Sequence, residues 1–369
     1  MSDFDIAIIG AGIAGASLAA EISAHKSVLL IEAEAHPGYH STGRSAAFWD
    51  ESYGGPAVQP LTTASGPFLA NPPSDFHEGP LMHPRGALHL GTDAHHLLAD
   101  ALLTDFADSG VRFERLDRQG IEAHVPGLLP AWTSGLWEPD CCDIDVGGLH
   151  GAYLRQAKRQ NVILRCNSRL QSAKWNAGRW HIEAIGASFT ADMIVNAAGA
   201  WADEVAQLAQ VKPLGIQPYR RTIAQLSMSP AAPANLPLVI GLDGSFYFKP
   251  DSGGTLWLSP HDETPTPPCD TAPEELDVAL AIARLQEVVD WDIRRVEHKW
   301  AGLRSFAPDR KPVIGHDPVT PSFFWLAGQG GFGIQTAPAA AMLAASMLSE
   351  AVAPPPNVDG NVYLPDRLH

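Results

Sequence analysis

The 369-residue chain carries 25 Lys and Arg against 41 Asp and Glu, a formal net charge of −16 that disfavours nucleic acid and anionic lipid surfaces as partners. Apolar residues at 45% and charged residues at 18% exclude a disordered chain and leave room for two domains and a sizeable core. The four cysteines, Cys141, Cys142, Cys166 and Cys269, lack metal-ligand spacing, so no metal is expected; the Cys141–Cys142 pair reads as small loop residues, with a redox switch as the alternative.

In chain order, "MSDFDIAIIG" enters an apolar strand at 4–9 without the basic region of a secretory signal, which points to the cytoplasm. A glycine turn, an alanine-rich helix to about 25 and a second strand, "SVLLIEAE" at 27–34, complete a β-α-β unit. Strand, small-residue turn and helix recur in "DMIVNAAGAWADEVAQLA" at 192–209 and in "FFWLAGQGGFGIQTAPAAAMLAASML" near the end. The run 337–348 is shorter than the ~20 apolar residues of a membrane span and reads as a packed helix. Between these units, 48–140 and 215–300 hold strand-like runs such as "GALHLG", "SFYFKP" and "TLWLSP", separated by Pro and Gly. The expected fold is α/β: a discontinuous Rossmann-like domain of residues 1–47, 143–214 and 300–369, with an inserted α+β domain of 48–142 and 215–299 on a mainly antiparallel sheet.

Gly10, Gly12 and Gly15 in "GAGIAG" match the dinucleotide fingerprint: a tight turn, a close approach to the pyrophosphate, and close packing of helix on strand. The diphosphate would sit at the helix N-terminus. Glu32, ending the second strand, is placed to accept from ribose hydroxyls. The loop "HPGYHSTGRSAA" adds Ser41, Thr42, Arg44 and Ser45 as donors, which suits the longer FAD better than NAD.

The stretches "IIGAGIAGAS", "GYHSTGRSAA", "IVNAAGAWAD", "WAGLRSFAPD" and "GQGGFGIQT", in this order along the whole chain, resemble the D-amino-acid oxidase-like (DAO) flavoenzymes, and among them the bacterial D-amino-acid and D-arginine dehydrogenases. The resemblance implies non-covalent FAD, since no cysteine falls in the glycine-rich C-terminal segment that would link it. It places Gly10, Gly12, Ile13, Ala14, Gly15, Glu32, Ala33, Ser41, Thr42, Arg44, Ser45, Ala46 and Ala47 around the FAD. Leu170, Ala197, Gly199, Trp201 and Gly302 would join them, with Gly330, Gly331, Phe332, Gly333, Ile334 and Gln335 at the flavin's pyrimidine end.

An enzyme that oxidises an amino acid on a flavin needs a carboxylate clamp and a neutral amine with its Cα hydrogen facing the flavin. Arg221 and Arg304 stand in apolar, strand-like surroundings, and the resemblance puts both on the substrate carboxylate, with Arg220 as a possible substitute for Arg221. Tyr53 and Tyr247 match family tyrosines around the substrate. Tyr53, a water or the carbonyl of Gly331 would ease amine deprotonation, and no general base is required. Hydride passes from Cα to flavin N5, and the imino acid hydrolyses to a 2-oxo acid and ammonia.

Where the arginine-preferring relative has a glutamate and a histidine, this chain has Ala87 and Phe48; with Leu238 and Ile240 they favour an apolar or aromatic side chain. Asp50 and Glu51 hold the competing case for a basic one. No lysine occurs in "GTLWLSPHD", where oxygen-using members carry one, which favours a dehydrogenase that passes electrons to a quinone or an electron-transfer protein. The alternatives are an enzyme acting on a secondary amine of the glycine, sarcosine or cyclic imino acid type, or on a 2-hydroxy acid.

Overall fold

In the computed structural model, which describes residues 2–369, the three strand–turn–helix units meet in one eight-stranded sheet. Its parallel core runs Ile163–Arg165, Val28–Ile31, Ser2–Ile9, Ala187–Asn196, Phe323–Ala327. Parallel strands need crossovers and are covered on both faces, which is why Val28–Ile31 and Phe323–Ala327 are buried at every position. On one face the helices Ile13–Ile22, Val146–Arg159 and Gly333–Leu348 pack together over Ile8, Leu30, Leu149 and Leu343. Ala16, Ala19 and Ala20 are buried around the first of these helices, so small side chains let it lie between sheet and neighbours. Trp180, Phe323 and Trp325 fill the opposite face.

A second, nine-stranded sheet draws on Ala87–Gly91, Glu114–Leu116 and Ser134–Glu138, and on strands between Gln217 and Phe306. It is antiparallel except where Leu238–Gly241 runs beside Ala87–Gly91. The fold is therefore α/β with a Rossmann-like sheet assembled from distant segments and an inserted α+β region, as expected. The strand Asp292–Phe306 crosses residue 299, where the sequence divides the two units, and stays paired with Gln217–Ser229 up to Phe306.

Alternation gives this sheet two unlike faces. Leu88, Leu90, Leu226, Phe246, Phe248, Leu256 and Leu258 form an apolar core under the helix Glu275–Gln286. The register places Glu138, Ala87, Leu238, Ile240, Tyr247, Ser259, Arg221 and Tyr219 on the other face, with Arg304 opposite Tyr219. Three helices, Gln59–Ala70, His96–Asp105 and Arg118–His124, lie in the stretch read from sequence as strand-like. The first has weak propensity, with Gly66 and Pro67 inside it, and is held by packing: it lies on Gly333–Leu348, and Gly66 leaves room for the Trp49 ring.

Candidate active site

A cavity of about 1310 Å³ opens along the C-terminal edge of the parallel strands, where ligands of such sheets bind. Gly10 starts it. At φ +102° its missing Cβ would stand 2.5 Å from the carbonyl oxygen of Ala197, so the turn closes on the second strand unit only with glycine there. Gly12 caps the helix without a side chain; Ile13 N donates to Thr42 Oγ1 at 3.0 Å, which fastens the 36–47 loop to the helix start. Glu32 accepts from Ala11 N and Glu34 N, both at 2.9 Å.

Of the expected cofactor residues, Gly10, Gly12, Ile13, Ala14, Glu32, Ala33, Ser41, Thr42 and Ser45 line this cavity, as do Leu170, Ala197, Gly199, Trp201, Gly330, Gly331, Gly333 and Ile334. Others are elsewhere. Gly15 lies behind the wall, where a Cβ would meet the Gly10 carbonyl at 1.9 Å, the close packing of helix on strand its spacing implied. Arg44 turns away, donating to the carbonyls of Thr271 and Ala301 and pairing with Asp270, because it follows a tight loop whose small residues face the cavity. Gly302 backs onto Arg304 and Arg44, and the Phe332 ring packs on Tyr53 and Phe306. Gln329, which sequence reading passed over inside "GQGGFG", lines the cavity with a buried Nε2 that has no partner. None of the four cysteines lines it.

A smaller cavity of about 530 Å³ adjoins the first and shares Ser45, Arg304, Gly331 and Ile334 with it. Phe48, Tyr53, Arg221, Ile240, Tyr247 and Gln335, expected around the substrate, line it, and so do Ala46 and Ala47, which were expected at the cofactor. Both arginines are buried. Arg221 Nε donates to the Asp262 carbonyl at 2.8 Å and its Nη2 lies 3.1 Å from Glu263. Arg304 has no carboxylate partner among the described residues, only its neighbour's carbonyl at 3.4 Å. Burial, reinforced by the like charge of Arg221, pulls its pKa below the ordinary value, yet a guanidinium stays charged. Arg220 cannot replace Arg221: alternation sends it to the opposite face, onto Glu274 and Asp277 of the Glu275–Gln286 helix region.

Tyr53 Oη lies against Gly331, 2.0 Å from where a Cβ would stand. Gln335 holds the turn carrying Tyr53: its Nε2 donates to the carbonyls of Asp50 and Tyr53 and to Thr62 Oγ1.

Four residues expected at the pocket lie elsewhere. Ala87 and Leu238 are fully buried and do not line the pocket: Leu238 lies two residues before Ile240 on the same strand, and Ala87 pairs with it on the next strand out. The Asp50 carboxylate turns inward to Ser52 and the Tyr53 N–H. Glu51 bonds to Thr63, so neither acid forms an anionic wall.

His261 is the residue sequence reading missed. Its Nδ1 faces the Gly244 carbonyl at 2.7 Å, so that nitrogen carries the hydrogen and Nε2 is left as an acceptor. Burial, with the charge of Arg221, pushes its pKa down to about 3 and keeps it neutral. The signal was present in "SPHD", directly after a strand that was searched only for lysine. Lysine does come near: Lys249 pairs across strands with Trp257, its Nζ 5.2 Å from that ring and 2.7 Å from Asp143.

A family model described as "DAO: FAD dependent oxidoreductase" matches residues 5–347. Glycine oxidase of Pseudomonas aeruginosa is 28% identical over 236 residues, 62% of this chain and 61% of that protein. The match thus spans less than two thirds of that relative's length. In fold, the chain is similar to L-proline dehydrogenase from P. horikoshii (TM-score 0.86, 20% identity, covering 99% and 98% of the two chains). Glycine oxidase from Geobacillus kaustophilus is similar too (TM-score 0.84, 20% identity, 99% and 98% covered). These names support the family named from the sequence and leave its D-arginine dehydrogenase branch without specific support.

Proposed function

Because the chain belongs to the DAO family of FAD-dependent oxidoreductases, we propose that it oxidises the Cα–N bond of a D-amino acid with an apolar side chain, giving an imino acid that water hydrolyses to a 2-oxo acid and ammonia. The larger cavity fits FAD. It starts at an open helix N-terminus, and its lining includes the Gln329 amide, which is unpartnered among the described residues. When bound, FAD supplies the acceptor for the hydride that leaves Cα.

The observation that carries the reading is Arg304, a buried cation without an anion, beside Arg221 in a pocket that opens on the cofactor cavity. A buried unpaired charge costs several kcal/mol, and a substrate carboxylate across the two guanidiniums would remove that cost while fixing the pose. Tyr247 and Tyr53 border the same space with their phenols. His261 Nε2, neutral at any working pH, is left as an acceptor for the amine, while the positive charges of Arg221 and Arg304 favour the amine's uncharged form. Phe48, Ile240 and Ile334 face the side chain, and no carboxylate lines the pocket, so a basic side chain would be left without a partner.

The narrowness of the smaller cavity favours, as a second reading, a compact substrate such as glycine, an N-methyl amino acid or a cyclic imino acid, in keeping with the names of the relatives. Lys249 is tied to Asp143 and so is not free to assist oxygen, which supports a dehydrogenase whose acceptor is a quinone or an electron-transfer protein. An anaerobic panel of D- and L-amino acids, N-methyl and cyclic amino acids and 2-hydroxy acids, followed by flavin absorbance, tests this. Bleaching by apolar D-amino acids is expected; reduction by hydroxy acids alone would reject it.

A further inference from the structure

The turn that carries Tyr53 rests on a closed cluster of ionisable groups lining neither cavity. Asp50 Oδ1 accepts from Ser52 N at 3.0 Å and Tyr53 N at 3.1 Å, with Ser52 Oγ also 3.0 Å away. Glu138, paired with Ala87 across strands, points the same way. Its Oε1 accepts from Glu51 N and its Oε2 from Ser52 Oγ, with His89 Nε2 3.1 Å away. Asp50, His89 and Glu138 are all buried and each brings a ligand-type atom within 4.8 Å of the others. Among the described residues Asp50 Oδ2 has no partner. The remaining groups near Asp50 bring no positive charge: Cys141, fully buried, sits on the chain before Cys142–Ile144, and Gln335 comes from the Gly333–Leu348 helix.

With His89 protonated, as its bond to Glu138 favours, two carboxylates leave a net charge of −1 in a compartment where no Lys or Arg among the described residues pairs with either acid. One more proton makes the cluster neutral. We infer that Asp50 carries this proton and is thereby a positioning residue for the substrate site: the neutral acid keeps Oδ1 as the acceptor of the Tyr53 N–H while removing repulsion against Glu138. Burial, with the charge of Glu138 added, raises Asp50 to about 7, and the bond to Glu138 raises His89 against the effect of its own burial. A metal ion would balance the charge equally. Against it, Glu138 is already occupied by the turn's donors, and no partner on the other ring nitrogen orients His89 among the described residues.

The inference rests on the reading that Tyr53 faces the substrate. Its sign follows from the raised pKa. The stabilisation is full below the unfolded value of about 3.8 and is lost as pH rises through about 7.

The test compares purified wild-type holoenzyme with Asp50→Asn, Asp50→Ala and Glu138→Gln. The melting temperature of Asp50→Asn relative to wild type should climb between pH 4 and 7 and then level, while Asp50→Ala lies below Asp50→Asn throughout. The dissociation constant of acetate, read from the flavin spectrum, should rise about tenfold from pH 6 to 8 in wild type and stay flat in Asp50→Asn. Glu138→Gln, which removes the second carboxylate, should flatten it too. A pH-independent difference in melting temperature, an Asp50→Asn variant as unstable as Asp50→Ala, or one equivalent of a divalent ion in the purified protein would overturn the assignment. If the melting curves behave as stated but no amino acid reduces the flavin, the substrate reading fails and the protonated Asp50 stands.

Discussion

The two cavities are built by opposite means. The larger draws on glycines and alanines at strand ends, joined by side chains such as Glu32 and Trp201. The smaller is lined largely by side chains from separate strands aligned by register, with others from the turn carrying Tyr53 and from the start of the Gly333–Leu348 helix. A backbone site tolerates little change at a few positions and is read from spacing. A side-chain site can change its chemistry one residue at a time, and its members are far apart in sequence.

Substitutions can separate the two. The largest effect is expected from Gly10→Ala, whose methyl meets backbone and whose φ excludes a side chain; the protein should purify with at least about tenfold less FAD and correspondingly little turnover. Arg304→Ala should keep its FAD and lose about 10³-fold in kcat/KM, roughly 4 kcal/mol, measured with whichever substrate bleaches the wild type. If it loses FAD as well, the two cavities are not separable.

Arg221→Ala and Arg220→Ala sharpen the contrast, because neighbours in sequence serve opposite faces. The first should cost about 10²-fold in kcat/KM, whereas the second should leave turnover near wild type and lower the melting temperature by a few degrees as its pairs with Glu274 and Asp277 are lost.

The smallest effect concerns His261. Its folded pKa lies below the ordinary 6.5, so the stability at stake is present above that value and is lost as pH falls towards about 3; His261→Gln should lack this acid-side fall in melting temperature. The kcat/KM profile between pH 5 and 9 should show no limb that disappears in the variant.

Most of the larger cavity was legible in the sequence because GxGxxG, Glu32 and the later glycine runs are local patterns with local consequences. Arg44 misled, since a loop's composition says which residues are near a ligand and not which way each points. The clamp arginines could be nominated, but choosing between Arg220 and Arg221 needed the pairing of Gln217–Ser229 with Asp292–Phe306. Asp50 could not be placed at all without Glu138, which is 88 positions away on a strand of a different sheet. His261 was hidden for a different reason: its role depends on a backbone carbonyl, Gly244, that leaves no trace in side-chain composition.

The two-faced alternation of the second sheet also sets how this site can evolve. A single-residue insertion or deletion within Gln217–Ser229 would present Arg220 and Thr222 to the substrate and drive Arg221 and Ile223 into the apolar core. New substrate preferences must therefore arise by replacement within the strands, or by length changes confined to the loops between them, so lineages that diverge in specificity should keep strand lengths fixed while loop lengths drift.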